Sequence, residues 1–302
     1  MKQNKKTILV TGSNGFIGSH LLKTLLKNYK VIGINHTQDT KTKNYSPLKK
    51  NIVKLSINEI PEKLSGVIHL AAITDVDLCN KNPNKCFLTN IIGTQKALEI
   101  ARKNNCKFVY ISTNHVYGKP EKLPIGENHP RNPNSIYATS KLAAEICCEG
   151  YSKSYDMNID IVRLFSVYGP KSPPHLVTSK IITQLQKKYL TLGNLNSQRD
   201  FIYISDVVNA IKIIFERSSG FNAYNVGTGK CYSISNICNL LKRLSKSDIP
   251  VRTLESKIRK NDTKKIISNN TKIKKLGWKP QVSLELGLKM TLDWADSQKV
   301  SQ

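Results

Sequence analysis

Acidic residues are scarce in this chain: 21 Asp and Glu stand against 47 Lys and Arg in 302 residues, a formal net charge of +26. Such an excess suits a nucleic-acid surface, but only eight of the basic residues are arginine, and the lysines come with asparagine and isoleucine along the whole chain. The densest cluster, KIRKNDTKKIISNNTKIKKLGWK, holds nine basic residues and one acid, Asp262, and lacks the interleaved aromatics on which bases stack. Nucleic acid is therefore not the expected partner, and a diphosphate on a small ligand would also be drawn by a positive field. Long apolar runs are missing too. No stretch approaches the roughly 20 apolar residues of a membrane span, and the opening MKQNKKTILVTGSNG is too poor in apolar residues for a signal peptide. A cytoplasmic protein without a membrane partner is the expectation. The seven cysteines are an odd number with no Cys-x-x-Cys pair and no histidine at ligand spacing, which argues against a disulfide framework and against a metal site.

What the chain does have is a 39% hydrophobic share, arranged as short apolar runs separated by helix-like stretches. The series runs TILVTG then 16–28, KVIGIN, GVIHLAA then 91–104, KFVYIS then 135–155, and IDIVRLF. Strands separated by helices of ten residues or more indicate parallel βαβ units, and so an α/β fold with a Rossmann-type doubly wound parallel sheet. After Gly169, GPKSPPHLVTSK brings three prolines and breaks the alternation; a helix over 180–188 and an amphipathic helix over 234–244 follow. The expected division is a dinucleotide-binding domain over 1–168 plus about 196–217, and a smaller mixed α/β C-terminal substrate domain over 169–195 and 218–302. The cleft between them is the expected ligand site.

Three motifs carry chemistry. In ILVTGSNGFIGSHLLKTLL a strand ends at Thr11, glycines fall at Gly12, Gly15 and Gly18, and a helix begins inside the motif. Glycines there permit a tight turn and a close approach to a pyrophosphate, which the helix N-terminus attracts. Gly12, Asn14, Gly15, Phe16, Ile17 and Gly18 are thus candidate cofactor contacts. The second strand ends at Asn35, where a carboxylate usually bonds the adenosine ribose; with His36, Lys41 and Lys43 nearby, both NAD and NADP stay open.

In SIYATSKLAAE, Tyr137 and Lys141 stand four apart and so project from one helix face. An ammonium about 5 Å from a phenol at an effective dielectric near 20 stabilises the phenolate by roughly 3 kcal/mol, about two pKa units, enough to bring a tyrosine toward use as a base. The third stretch, FVYISTNHVYG, reads as a buried strand with Ser112, Thr113, Asn114 and His115 at its carboxyl end, where open α/β sheets bind ligands.

With these motifs in hand, TGSNGFIG, VIHLAA, NIIGT, STNHVYG, YATSK, VRLFSVYGP, RDFIYISDV, YNVGTG and LGWKP occur in an order that resembles the extended short-chain dehydrogenase/reductase family, the NAD-dependent epimerases and dehydratases of nucleotide sugars. The resemblance implies a catalytic trio of Thr113, Tyr137 and Lys141. It implies cofactor contacts at Ser56, Ile57, Leu70, Ala71, Ala72 and Asn90 besides the glycine turn, and substrate contacts at Thr74, Asn114, Ser166, Arg199 and Lys265. His69 reads either as lining the cofactor side or as a buried structural histidine. Relatives that remove water across the 4,6 positions carry Asp-Glu after this threonine; Asn114-His115 disfavours that reaction. The resemblance therefore implies a nucleotide-sugar 4-epimerase of the UDP-glucose/UDP-galactose type with tightly held NAD. The alternative is an NADPH-dependent 4-keto reductase of the dTDP-4-dehydrorhamnose reductase type, which the AAITDVDLCNKNP stretch also resembles. A homodimer pairing through helices that flank the sheet is the expected assembly.

Overall fold

Strand β1 (Thr7–Thr11) runs into α1 (Phe16–Leu25) and β2 (Lys30–Asn35), the first βαβ unit of a computed structural model that describes residues 5–37, 39–60, 63–257 and 263–300. There follow β3 (Tyr45–Lys49), β4 (Gly66–His69), α2 (Val76–Lys81), α3 (Pro83–Phe87), a π-helical turn over Leu88–Ile92, α4 (Gly93–Lys103), β5 (Lys107–Thr113), α5 (Ile136–Tyr155) and β6 (Ile159–Leu164). The second part holds β7 (Ser166–Tyr168), α6 (Val177–Ile182), β8 (Leu190–Leu192), β9 (Gln198–Arg199), β10 (Phe201–Tyr203), α7 (Ile204–Arg217) and β11 (Phe221–Val226). It closes with β12 (Tyr232–Ser233), α8 (Ile234–Ser245), β13 (Val251–Thr253), α9 (Thr271–Lys274) and α10 (Leu284–Val300).

Seven strands form one parallel sheet in the order β11-β6-β5-β4-β1-β2-β3. Its strands read as continuous apolar runs because both faces are covered. Along β1, Ile8 and Val10 pack with Leu21 and Leu25 of α1 on one face, while Leu9 packs with Leu98 of α4 and Ala144 of α5 on the other. Each fully buried Leu or Ile contributes about 1.5–3 kcal/mol, so this two-sided core holds the helices against the sheet. The order reverses at β1, which lies between β4 and β2, and a crevice opens there outside the carboxyl ends of the strands.

Two expectations need correction. Phe221–Val226, assigned by sequence to the smaller domain, is the edge strand β11 of the main sheet, in register with Ile159–Leu164 of β6. The Pro-rich break at Gly169 hid this return of the chain. The helix expected over 180–188 is α6, which ends at Ile182. The three small sheets, β7 with β10, β9 with β12 and β8 with β13, come from the irregular part of the chain and wall the crevice opposite the main sheet.

Candidate active site

The crevice is a cleft of about 1360 Å³. Its floor begins at the glycine turn. Gly12 has φ +68°, and a Cβ on it would stand 3.0 Å from the Ala71 nitrogen; one on Gly18 would stand 2.1 Å from the Gly12 carbonyl, so α1 packs directly on the turn. Gly15, Phe16 and Ile17 line the cleft at the start of α1, where the first N–H groups of a helix have no partner within it. That bare backbone cradle fits a pyrophosphate.

Asn35 braces this turn. Its Oδ1 accepts from Ser13 Oγ (2.8 Å) and from the Asn14 N–H (2.9 Å), and its Nδ2 donates to the Tyr45 hydroxyl (2.9 Å). It is 3% exposed. The residue expected to meet a ribose therefore has its amide occupied within the protein, and His36, Thr37 and Lys50 supply more of the cleft wall at that end. Leu70, Ala71 and Ala72 line the cleft as expected. Ser56 does not: it is exposed, and its N–H donates to Glu59. The side chain of Ile57 lies outside the described residues.

His69 is structural. The Ala71 N–H donates to Thr11 Oγ1, which pairs with His69 Nδ1 at 2.7 Å; His69 Nε2 pairs with Thr94 Oγ1, which donates to the Asn90 carbonyl. A neutral imidazole protonated on Nε2 satisfies this whole chain. Burial, with Lys141 nearby, lowers His69 to about 3, so it holds that form. Asn90, assigned to the cofactor by resemblance, is 1% exposed and does not line the cleft. It holds the Ile73 backbone instead, and through it the loop that carries Thr74 into the cleft.

The candidate reacting groups stand where β5 meets α5. Ser135 caps α5 by accepting from the Ala138 N–H, which starts the helix at Ile136 and aims Tyr137 and Lys141 at the cleft. Thr113 stands beside Tyr137, and both are under a tenth exposed. Burial pushes Tyr137 up to about 12, against the lowering effect of Thr113. Lys141 falls to about 8, again by burial first, with Glu145 opposing. Its Nζ donates to the Ile111 carbonyl (2.6 Å) and lies 4.3 Å from the Tyr110 ring centre. The expected lowering of Tyr137 by Lys141 is therefore absent here: the ammonium spends its hydrogen bond on the strand, and desolvation dominates both groups. Asn114 and His115 also line the cleft, and the His115 ring meets that of Tyr137 edge-on, centres 5.8 Å apart.

On the far wall stand Ser166 and Arg199. Arg199 is held by donating from Nη1 to the Gln198 and Thr263 carbonyls. Its neighbour Asp200 fixes the loop by accepting from Thr228, Gly229 and Ser268. Lys265, expected near a diphosphate, is exposed and outside the lining. Sequence reasoning missed His175, 3.7 Å from Asp75 at the cleft edge. It also missed the buried Glu145–Arg163 pair behind α5. Glu145 closes the stretch SIYATSKLAAE and could have been flagged there as an acid four residues beyond Lys141 on the same face. Cys79 and Cys86 bring their sulfurs to 2.8 Å behind Tyr137, and all seven thiols are free. Among the described residues no group of His, Cys, Asp or Glu could hold a metal ion, and no helix is long and apolar enough to cross a membrane.

A family model described as GDP-mannose 4,6 dehydratase matches residues 9–291. The dTDP-D-glucose 4,6-dehydratase of Homo sapiens is 31% identical over 315 residues, covering 96% of this chain and 89% of the relative. Among solved structures, the UDP-glucose 4-epimerase of Thermotoga maritima, with UDP-glucose, has a TM-score of 0.89 at 30% identity and covers 97% of this chain and 99% of its own. The UDP-glucuronic acid 4-epimerase of Bacillus cereus, with UDP-glucuronic acid and NAD, has a TM-score of 0.90 at 30% identity, covering 97% and 99%.

Proposed function

From a chain that belongs to the NAD-dependent epimerase/dehydratase family of extended short-chain dehydrogenases/reductases, we infer a nucleotide-sugar 4-epimerase acting at C4 of a UDP-hexose. The observation that carries this reading is the meeting of Thr113, Tyr137 and Lys141 in one cleft with an amide and an imidazole, Asn114 and His115, beside them rather than two carboxylates. Elimination of water needs a paired acid and base there; an amide can neither give nor take a proton at neutral pH.

The cradle at Gly12, Gly15 and Ile17 would hold the pyrophosphate of NAD, and Lys141 its nicotinamide ribose. NAD bound there would supply the redox chemistry as acceptor and then donor of the C4 hydride, and its positive charge would favour the phenolate of a Tyr137 that burial holds near 12. Thr113 holds the 4-oxygen of the sugar. Tyr137 takes the proton of that hydroxyl and later gives it back, so no net proton is consumed. Ser166 and Arg199 meet the sugar diphosphate, and the guanidinium suits it because it offers several donors in one plane. A homodimer is part of the same reading.

One observation favours a second reading. The neutral, occupied Asn35 at the end of β2 offers a 2′-phosphate no repulsion, which suits an NADPH-dependent 4-keto reductase using the same trio. Denaturing the purified chain and identifying the nucleotide released separates the two. Stoichiometric NAD with interconversion of UDP-glucose and UDP-galactose is the expected result; a chain that carries no nucleotide and turns over only with added NADPH would overturn it.

A further inference from the structure

Three consecutive residues of β5 each engage one member of a single face of α5. The Ile111 carbonyl accepts from Lys141 (2.6 Å), the Ser112 hydroxyl donates to Glu145 (2.5 Å), and Thr113 stands beside Tyr137 in the cleft wall. Tyr137, Lys141 and Glu145 follow at intervals of four, so they share that face. Glu145 is 0% exposed and lies outside the cleft lining. Its carboxylate is held from three elements: Ser112 of β5, Arg163 of β6 through Nε (3.1 Å) and Nη2 (2.7 Å), and Arg131 of the loop before α5 (3.4 Å). Arg163 is itself fixed, donating from Nη1 to the Tyr117 hydroxyl and the Glu127 carbonyl.

We propose that Glu145 is a positioning residue for the reaction: it locks α5 in register with β5 and β6, and it keeps positive charge on Lys141 one turn away. This rests on the reading of Lys141 as part of the reaction centre. A buried ammonium tends to lose its proton unless a negative group lies near. The groups that bear on Lys141 are Glu145 and Cys148 of α5 and Cys86 of α3, with His69 of β4 and Tyr110 of β5 packed close by. Burial keeps the Cys148 thiol and the Tyr110 phenol neutral, and His69 is neutral as well. Glu145 is the carboxylate of the set. Its pairing with Arg163 and Ser112 keeps it from turning toward Lys141, so it acts on that lysine through the field and takes none of the ammonium's hydrogen bonds.

Glu145→Gln keeps the shape of the side chain and an acceptor for Ser112 while removing the charge. In the full chain labelled with [13Cε]lysine, the Lys141 resonance, identified by its loss in Lys141→Arg, should titrate about one pH unit lower in Glu145→Gln than in the wild type. An unchanged titration would overturn the electrostatic half. Ser112→Ala leaves the buried ion pair intact and tests the register alone: kcat should fall about tenfold with KM and the Lys141 titration unchanged. Wild-type kcat in that variant would overturn the register half. The titration reads Lys141 directly, so it decides the first point whether or not the chain turns over a nucleotide sugar.

Discussion

The Asn90 side-chain amide pairs with both backbone polar groups of Ile73: Oδ1 accepts from the Ile73 N–H at 2.8 Å, and Nδ2 donates to the Ile73 carbonyl at 3.0 Å. The same Nδ2 reaches Ser140 Oγ, between Tyr137 and Lys141 on α5 (2.9 Å). One buried amide thus ties the loop that carries Thr74 to the helix that carries Tyr137 and Lys141. Asn90→Ala leaves both Ile73 groups unpaired in a dry site. It should cost about 1–3 kcal/mol of stability, seen as a lower urea midpoint, and should lower kcat about tenfold or more through misplacement of the loop. Wild-type stability in this variant would remove the bracing role.

Tyr137→Phe deletes the hydroxyl beside Thr113 and little else. Turnover should fall by about 10²–10⁴, while the nucleotide released on denaturation stays the same. Normal turnover would end the assignment of Tyr137 as the base.

Lys141 is 4% exposed and sits near 8 rather than its ordinary 10.5, burial being the larger cause. Between those two values the unfolded chain binds a proton that the folded chain does not. This group therefore makes stability rise as pH climbs from about 8 to 10.5, and below 8 its burial penalty is felt in full. Lys141→Met should be more stable than the wild type at pH 7, by roughly 2 kcal/mol. The gap should close by pH 10.5 and activity should be lost. Urea midpoints at the two pH values read this; a gap that is the same at both would contradict it.

Leu88 and Ile92 of the π-helical turn and Ile146 of α5 are 52%, 39% and 55% exposed, on neighbouring helices of one face of the sheet. Apolar side chains grouped this way suit a partner surface, and a second copy of the chain is the occupant the proposed homodimer requires. Ile146→Asp should shift the chain from dimer to monomer in sedimentation equilibrium. A wild-type chain that is monomeric at micromolar concentration would dispose of the dimer.

The glycine turn was legible because each glycine answers a local demand. Gly12 needs positive φ and Gly18 needs to lie against the Gly12 carbonyl, both met within seven residues of chain. The Tyr137–Lys141 pair was legible because helical spacing alone puts both on one face. Asn35 was legible as a position but not as a role, since its partners Ser13 and Tyr45 arrive from β1 and β3. The strand β3 itself, YSPLK, carries a proline and no alternation, so it left no signal; nor did the return of Phe221–Val226 to the main sheet.

Periodicity and punctuation by themselves determined the α/β class, the first βαβ unit, the glycine turn and the Tyr137–Lys141 pair, because all of these are set by side-chain spacing along one strand or one helix. Charge states and the identity of the bracing residues were decided only in three dimensions. Whether Lys141 lowers Tyr137, whether His69 is a ligand contact or a strut, and what Asn90 and Glu145 hold all depend on burial and on partners from other elements. A sequence records which groups can ionise; the surrounding dielectric and the neighbouring strands decide which of them do.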